Sequence, residues 1–290
     1  MAVKESLPAP DELTDDQQEA VEHLLYSLAD DEFVVAERYT EWQVRSPTLE
    51  SDLALANIAQ DELGHARLWY DLLEDFGYTE SELVWERDPS EWRHSTLVEQ
   101  PFAEGDWADA IVRSYLYDQA EYIRLEALEE SSYPRIRDRV PKIVQEEDYH
   151  REHAENWMNR LAEEKQGLER LQDAFDRLFP YALTLFAPTD EAVDDRIDEL
   201  GIRTEPLAVM REEWLDVVVP FFQDLGVNVD DAELPEQYDV HHTEFELPEH
   251  VGRDQSHTDA WFDLQEEFTN TYRKLDRHQA NRIMKDPDEA

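Results

Sequence analysis

The most constraining feature of this chain is a set of acidic side chains placed where apolar stripes should run unbroken. Leu25, Ala29, Phe33, Ala36, Thr40 and Val44 recur at helical spacing, and Glu37 falls among them. Leu55, Ile58, Ala59, Ala66, Trp69 and Leu73 form a second stripe that contains Glu62. Ile111, Tyr115, Tyr122, Leu125 and Leu128 flank Glu121, and Val140, Ile143, Val144, Ala154, Trp157 and Leu161 flank Glu147 and His150. Four helices therefore each turn a carboxylate inward. A buried carboxylate is costly unless it is paired, protonated or metal-bound. No clustered inward Lys or Arg offers compensation, whereas two divalent cations would.

Spacing sharpens the reading. Glu62 to His65 and Glu147 to His150 are both Glu-x-x-His, which puts Glu and His on one helix face. Glu37 lies upstream of the first motif and Glu121 upstream of the second at nearly the same distance. One Glu from each of two helices plus Glu-x-x-His from each of two others is the carboxylate di-metal bundle pattern. The candidate ligands are Glu37, Glu62, His65, Glu121, Glu147 and His150, and their oxygen and imidazole donors suit two iron ions, or manganese. The short motif alone is weak in a chain this rich in Glu. A third occurrence, Glu91 to His94, is read as coincidence, and Glu32, Glu41, Glu126 and Glu152 as a solvated acidic face.

The expected class is all-α. Helices are expected at about 15–45, 48–77, 106–132 and 134–164, then more weakly at 166–186, 189–200, 204–225 and 257–283. Pro47 is placed for a first turn, Gly77 for a C-terminal cap, and the short connections make each pair of long helices an antiparallel hairpin. Residues 78–105 read as a crossover between hairpins. Residues 1–290 are expected to form one domain, with a core at about 15–164 and a C-terminal helical extension at about 165–290. The Pro- and acid-rich stretch 226–256 is the candidate partner-docking arm, with the following helix.

Asp and Glu number 72 against 26 Lys and Arg, a net charge of -46. With no basic patch to displace counterions, nucleic acid is not an expected partner. The acidic, Lys-poor surface is that expected of a halophilic protein, where salt screens self-repulsion. The absence of Cys excludes thiolate and Fe–S chemistry in the chain. The opening MAVKESLPAPDEL carries no apolar signal core, and the richest apolar run, WLDVVVPFF (214–222), is interrupted by Asp216 and Pro220. A cytoplasmic protein without a membrane partner is expected.

The strings LADDEFVVAERYTEW (28–42), DLALANIAQDELGHAR (52–67), LVEQPFAEGDWADAIVRSYLYDQAEYIRLEAL (97–128), EEDYHREHAENWMNRL (146–161) and GRDQSHTDAWFDLQEEFTNTYR (252–273) resemble the PaaC-like subunits of phenylacetyl-CoA epoxidase. That ferritin-like family is related to bacterial multicomponent monooxygenases. The resemblance implies a ferritin-like four-helix bundle with a crossover segment and additional C-terminal helices. It also implies a multisubunit enzyme that converts the ring of an aromatic acyl-CoA to a 1,2-epoxide in phenylacetate catabolism. In that enzyme the di-iron centre resides in one subunit and the PaaC type is its structural partner, with non-ligating residues at several of these positions. Here all are metal-competent, which favours a di-iron component. Glu37, Glu62, Glu121 and Glu147 would be its catalytic carboxylates, shifting between bridging and terminal positions.

The same resemblance implies that Asp61 and Glu146, each just before a ligand Glu, accept hydrogen bonds from the ligand His of the opposing helix. His153 is expected to pack behind the site, and Tyr39 and Tyr149 to be packing residues. Arg135, Arg137 and Arg139 are candidates for phosphate recognition. The expected partners are a paralogous subunit or a second copy of the chain, a separate reductase and an aromatic acyl-CoA. No Gly-rich dinucleotide fingerprint is present to bring the electrons in directly. The alternatives are a stand-alone ferroxidase or peroxide-consuming di-metal protein, and a structural, non-catalytic subunit.

Overall fold

The computed structural model describes residues 6–102, 106–229, 234 and 246–275, and among them the only regular structure is helical. The long helices are α1 (Asp15–Gln43), α2 (Leu49–Glu74), α3 (Trp107–Glu126) and α4 (Val140–Ala162). After them come α5 (Lys165–Ala182), α6 (Glu191–Leu200), α7 (Leu207–Leu225) and α8 (Asp259–Lys274). Helix α1 packs along α2 and α3 along α4; α2 also meets α4 to close the bundle. Helices α5 and α7 cover α3, and α6 lies against α1. No described helix is long and apolar enough to cross a membrane.

Local chemistry sets the boundaries. Thr14 and Gln17 form a capping box at the start of α1, and Asp106 and Asp109 form one at the start of α3. Thr48 caps α2 by accepting from Ser51 N, so Pro47 lies just outside the helix instead of in its first turn. Gly77 follows the end of α2 with a left-handed φ of 99°. The helix expected over 134–164 is two pieces, Pro134–Arg137 and Val140–Ala162. Pro141 has no N–H to donate to the carbonyl of Arg137 and its ring clashes there, so the break falls between them. By contrast α7 continues through Pro220.

The crossover holds helical turns at Ser81–Trp85, Pro89–Glu91 and Thr96–Glu99. It wraps α1 from outside the bundle, as does the C-terminal segment, so Leu28 through Ala36 are all buried, including Asp30, Asp31 and Glu32. Two of those acids are tied to the wrapping. Asp30 accepts from Tyr70 Oη (2.6 Å), Arg87 Nη2 (2.5 Å) and the backbone N–H of Arg93 (2.8 Å). Asp31 accepts from Ser95 N (2.7 Å), Arg124 Nη1 (2.8 Å) and Arg253. One carboxylate thus joins α1, the crossover, α3 and the segment before α8.

Helix α8 is held to its own chain: Trp261 is buried beside Trp92 and His94, and Arg38 Nη2 donates to Ala260 O (2.8 Å). Residues 230–233 and 235–245 of the expected docking arm and the end of the last expected helix lie outside the described residues.

Removing the Asp31 carboxylate leaves Arg124 and Arg253 buried without their shared anion. Asp31→Asn is expected to cost about 3–5 kcal/mol, read as a fall in the denaturant midpoint. A midpoint unchanged from wild type would show that this ion cluster is not what fastens the C-terminal segment.

Candidate metal centre

Glu32 from α1, Glu62 and His65 from α2, Glu121 from α3, and Glu147 and His150 from α4 meet in the middle of the bundle, all buried. One ligand atom from each of Glu32, Glu62, His65 and Glu121 lies within 4.8 Å of the others, and the same holds for Glu62, Glu147 and His150. Two carboxylates reach both imidazoles. Glu62 lies 3.7 Å from His65 Nδ1 and 3.6 Å from His150 Nδ1. Glu147 Oε1 lies 3.5 Å and 2.9 Å from the same two atoms. Glu32 Oε2 stands 3.8 Å from His65 Nδ1.

The outer nitrogens of both rings face carboxylates on the opposite helix. His65 Nε2 donates to Glu146 Oε2 at 2.8 Å, and His150 Nε2 is 3.5 Å from Asp61 Oδ2. The hydrogen bond to Glu146 fixes the orientation and tautomer of His65, Asp61 lies near the outer nitrogen of His150 without bonding it, and Nδ1 of each ring turns inward.

The electrostatics are those of a crowded anionic cavity. Burial and then Glu121 hold the Glu32 carboxyl well above the usual range, and burial and then Glu147 push Glu121 up to about 8. Glu62 is lowered: burial opposes this, but Glu32, His65 and His150 stabilise its charge. Burial works against protonation of His65, yet contacts with Glu146 and Glu62 bring it up to about 10. His150 is likewise raised, chiefly by Glu147 against the effect of burial. Protons and imidazolium thus supply, in the metal-free chain, the positive charge the cluster requires.

These residues fit a pair of metal ions. Both carboxylate oxygens of Glu62, Glu121 and Glu147, Oε2 of Glu32, and Nδ1 of His65 and His150 are buried without a hydrogen-bond partner. Buried polar atoms are rarely left so, and here nine of them point at one another. No described Lys or Arg comes within ion-pair distance of the four carboxylates.

The residue from α1 differs from the sequence expectation. Glu37 lies outside both groups. It is half-buried, and burial, then Glu267 of α8 and Glu41, push it up to about 7. At 3.6 residues per turn, five residues rotate Glu37 roughly 140° away from Glu32. Glu32, expected on the solvated face, is buried at the centre. The stripe that carries it was readable as Leu25, Leu28, Glu32, Val35 and Tyr39, all buried, whereas Val44 of the expected stripe is 90% exposed.

The remaining expectations divide. Tyr39 is buried and donates to Ser114 Oγ at 2.9 Å, while Tyr149 is 46% exposed. His153 is half-buried one turn beyond His150, on the wall of an open groove of about 680 Å³ beside Ala54, Tyr149 and Trp157. Arg135 pairs with Asp75 and Arg139 Nε donates to Leu68 O (2.9 Å), while Arg137 is partly exposed beside Asp138. Glu91 is exposed, but His94 is not incidental: with His257 it bonds Glu99, at 2.8 and 3.0 Å, inside the seam between crossover and α8. Asp118, one turn before Glu121, is a further buried acid the sequence reading passed over; burial, then Glu147, hold its carboxyl well above the usual range.

Fold and site together define a helical bundle with a candidate carboxylate–histidine metal centre. The chain belongs to the phenylacetic acid catabolic protein family, which it matches over residues 2–277. Two relatives are different subunits of the 1,2-phenylacetyl-CoA epoxidase of Escherichia coli (strain K12). The chain is 32% identical over 206 residues to the C-type one, covering 70% of this chain and 81% of the relative. It is 28% identical over 196 residues to the A-type one, covering 67% of this chain and 63% of the relative.

The raised groups give a signed pH dependence. Glu121 keeps its proton in the folded chain to about pH 8, so its contribution to stability is full below the unfolded carboxyl value and is lost as pH rises towards 8. His65, held to about 10, contributes fully below the unfolded imidazole value and loses that contribution as pH rises through 10. Metal-free protein in constant high salt should therefore melt at progressively lower temperature from pH 6 to 9, and metal-loaded protein should not, because cations replace the protons. Identical pH profiles for the two forms would contradict this charge balance.

Proposed function

We propose that this chain is the di-iron component of a multisubunit 1,2-phenylacetyl-CoA epoxidase. The observation that carries the proposal is the cluster of buried, unpartnered carboxylate and imidazole atoms, complete from all four bundle helices, in a chain whose relatives belong to that enzyme.

The residues have separable tasks. Glu62 and Glu147, each reaching both histidines, would hold the cations together with them. Glu32 and Glu121 close the cluster from α1 and α3. Glu146 keeps His65 aimed inward, and Asp61 lies near the outer nitrogen of His150. The apolar packing around the cluster excludes water and makes the ligand charges count. When bound, a pair of iron ions supplies the O2-activating chemistry that hard carboxylate and imidazole donors support.

In the overall reaction one oxygen atom joins a ring C=C of the aromatic thioester as the epoxide. The other leaves as water with two electrons and two protons. The chain has no Cys and no dinucleotide fingerprint, so the electrons come from a separate reductase. A paralogous subunit is the natural partner, since the two relatives are different members of one enzyme.

Two measurements test this. Anaerobic loading with ferrous iron should give about two irons per chain, retained in Glu37→Gln and lost in part or whole in Glu32→Gln and Glu62→Gln. Glu146→Gln should weaken metal affinity roughly 10–100-fold without unfolding the chain. With reductase, phenylacetyl-CoA and the paralogous partner present, substrate-dependent O2 uptake should follow iron content across these variants. Iron loading without substrate-dependent uptake would point to a ferroxidase. Turnover that persists in Glu62→Gln would place the chemistry in the partner and make this chain a scaffold.

A further inference from the structure

A second charged site lies away from the bundle centre, where the start of α1 meets the crossover, α6 and the segment before α8. In a chain carrying a net charge of -46, a cavity of about 30 Å³ there is lined by Arg93, Arg124, Arg203 and Arg253, with His23 and Thr189. That is room for one or two water-sized particles.

The guanidinium groups are incompletely neutralised. Arg124 and Arg253 share the single carboxylate of Asp31. Arg203 pairs with Asp194 and Asp198. Arg93 has no carboxylate within ion-pair distance among the described residues; its Nη1 lies 3.0 Å from His23 Nδ1. A guanidinium can only donate, so Nδ1 of His23 accepts and the ring adds no positive charge by that contact. Its Nε2 is 3.3 Å from Thr189 Oγ1. Burial, then Arg93, pull the His23 imidazole below its usual value, in keeping with a neutral ring. Four guanidinium groups therefore face three carboxylates. Asp190 adds a negative field at His23, but it is exposed and its carboxylate caps α6 by accepting from Ala192 N and Val193 N.

A second, independent sign of a ligand is an unused donor. Arg253 is 8% exposed, and its Nε is buried with no hydrogen-bond partner, while its other nitrogens bond Asp31 and Leu185 O. A buried charged donor left empty is costly unless something accepts from it.

We propose that this cavity binds one small monovalent anion of halide size, held by Arg93 and Arg253 Nε. The anion balances the excess positive charge and joins α1, the crossover and the segment before α8. A chain of this net charge repels anions at long range, so only a built concentration of Arg would retain one.

Crystals of the full chain soaked in bromide test this through the anomalous signal of the ion. The expected result is a bromide peak in the cavity of wild type and of Arg93→Lys, which keeps the charge, and none in Arg93→Gln. In solution, replacing glutamate by chloride at constant potassium should raise the melting temperature of wild type with saturation, and Arg93→Gln should lose the saturating part. Wild-type crystals decide the matter even where Arg93→Gln does not fold. Absence of cavity density, bromide at exposed arginines only, or an undiminished cavity peak in Arg93→Gln would overturn the proposal.

Discussion

Four carboxylates brought together in the dry centre of a helical bundle are the constraint on which this structure turns. Glu32, Glu62, Glu121 and Glu147 come from four different helices, so their mutual repulsion acts directly against closing the bundle. Something positive has to enter. Without metal the groups divide a small stock of protons: burial and neighbouring carboxylates raise Glu32 and Glu121 above the usual carboxyl range, while contacts with Glu32 and the two histidines lower Glu62 against the effect of burial. Cations would replace those protons as the balancing charge. The bundle is thus built around charge compensation as much as around apolar packing.

Helix α1 shows how strongly environment decides the fate of an acid. Asp30, Asp31 and Glu32 are consecutive and all buried, yet successive residues rotate about 100° and meet different surroundings. Asp30 meets Arg87 and Tyr70, Asp31 meets Arg124 and Arg253, and Glu32 meets only other carboxylates and His65. The first two are spent on holding the crossover and C-terminal segment around the bundle. The third is left for the centre. The wrapping that engages Asp30 and Asp31 also buries the middle of α1, Leu28 through Ala36, around Glu32.

Much of this was legible in the sequence because it rests on local rules. The approximate spans of the long helices followed from apolar periodicity and the short connections, and Glu62, His65, Glu147 and His150 from helical spacing. Where reading failed, the determining contacts were distant. Glu37 looked right because it matched the spacing of the second hairpin, but the cluster sits deeper in the first: Glu32 lies about three turns before the end of α1, whereas Glu121 lies in the last turns of α3, so equal spacing was not required. Because Leu28 through Ala36 are buried without a break, wrapped by segments far away in sequence, the stripe through Glu32 competes with others on the same helix. The Glu99 seam with His94 and His257 joins residues more than a hundred positions apart, and no periodicity announces it.

Anomalous diffraction at the iron edge, from crystals of the full chain loaded with ferrous iron, tests the central assignment most directly. Two peaks are expected between the helices, with Glu62 and Glu147 reaching both, Glu32 and Glu121 closing the cluster, and Glu37 bound to neither. Full iron loading with peaks at Glu37, or an ordered bundle with no iron at the Glu62–Glu147 centre, would contradict it.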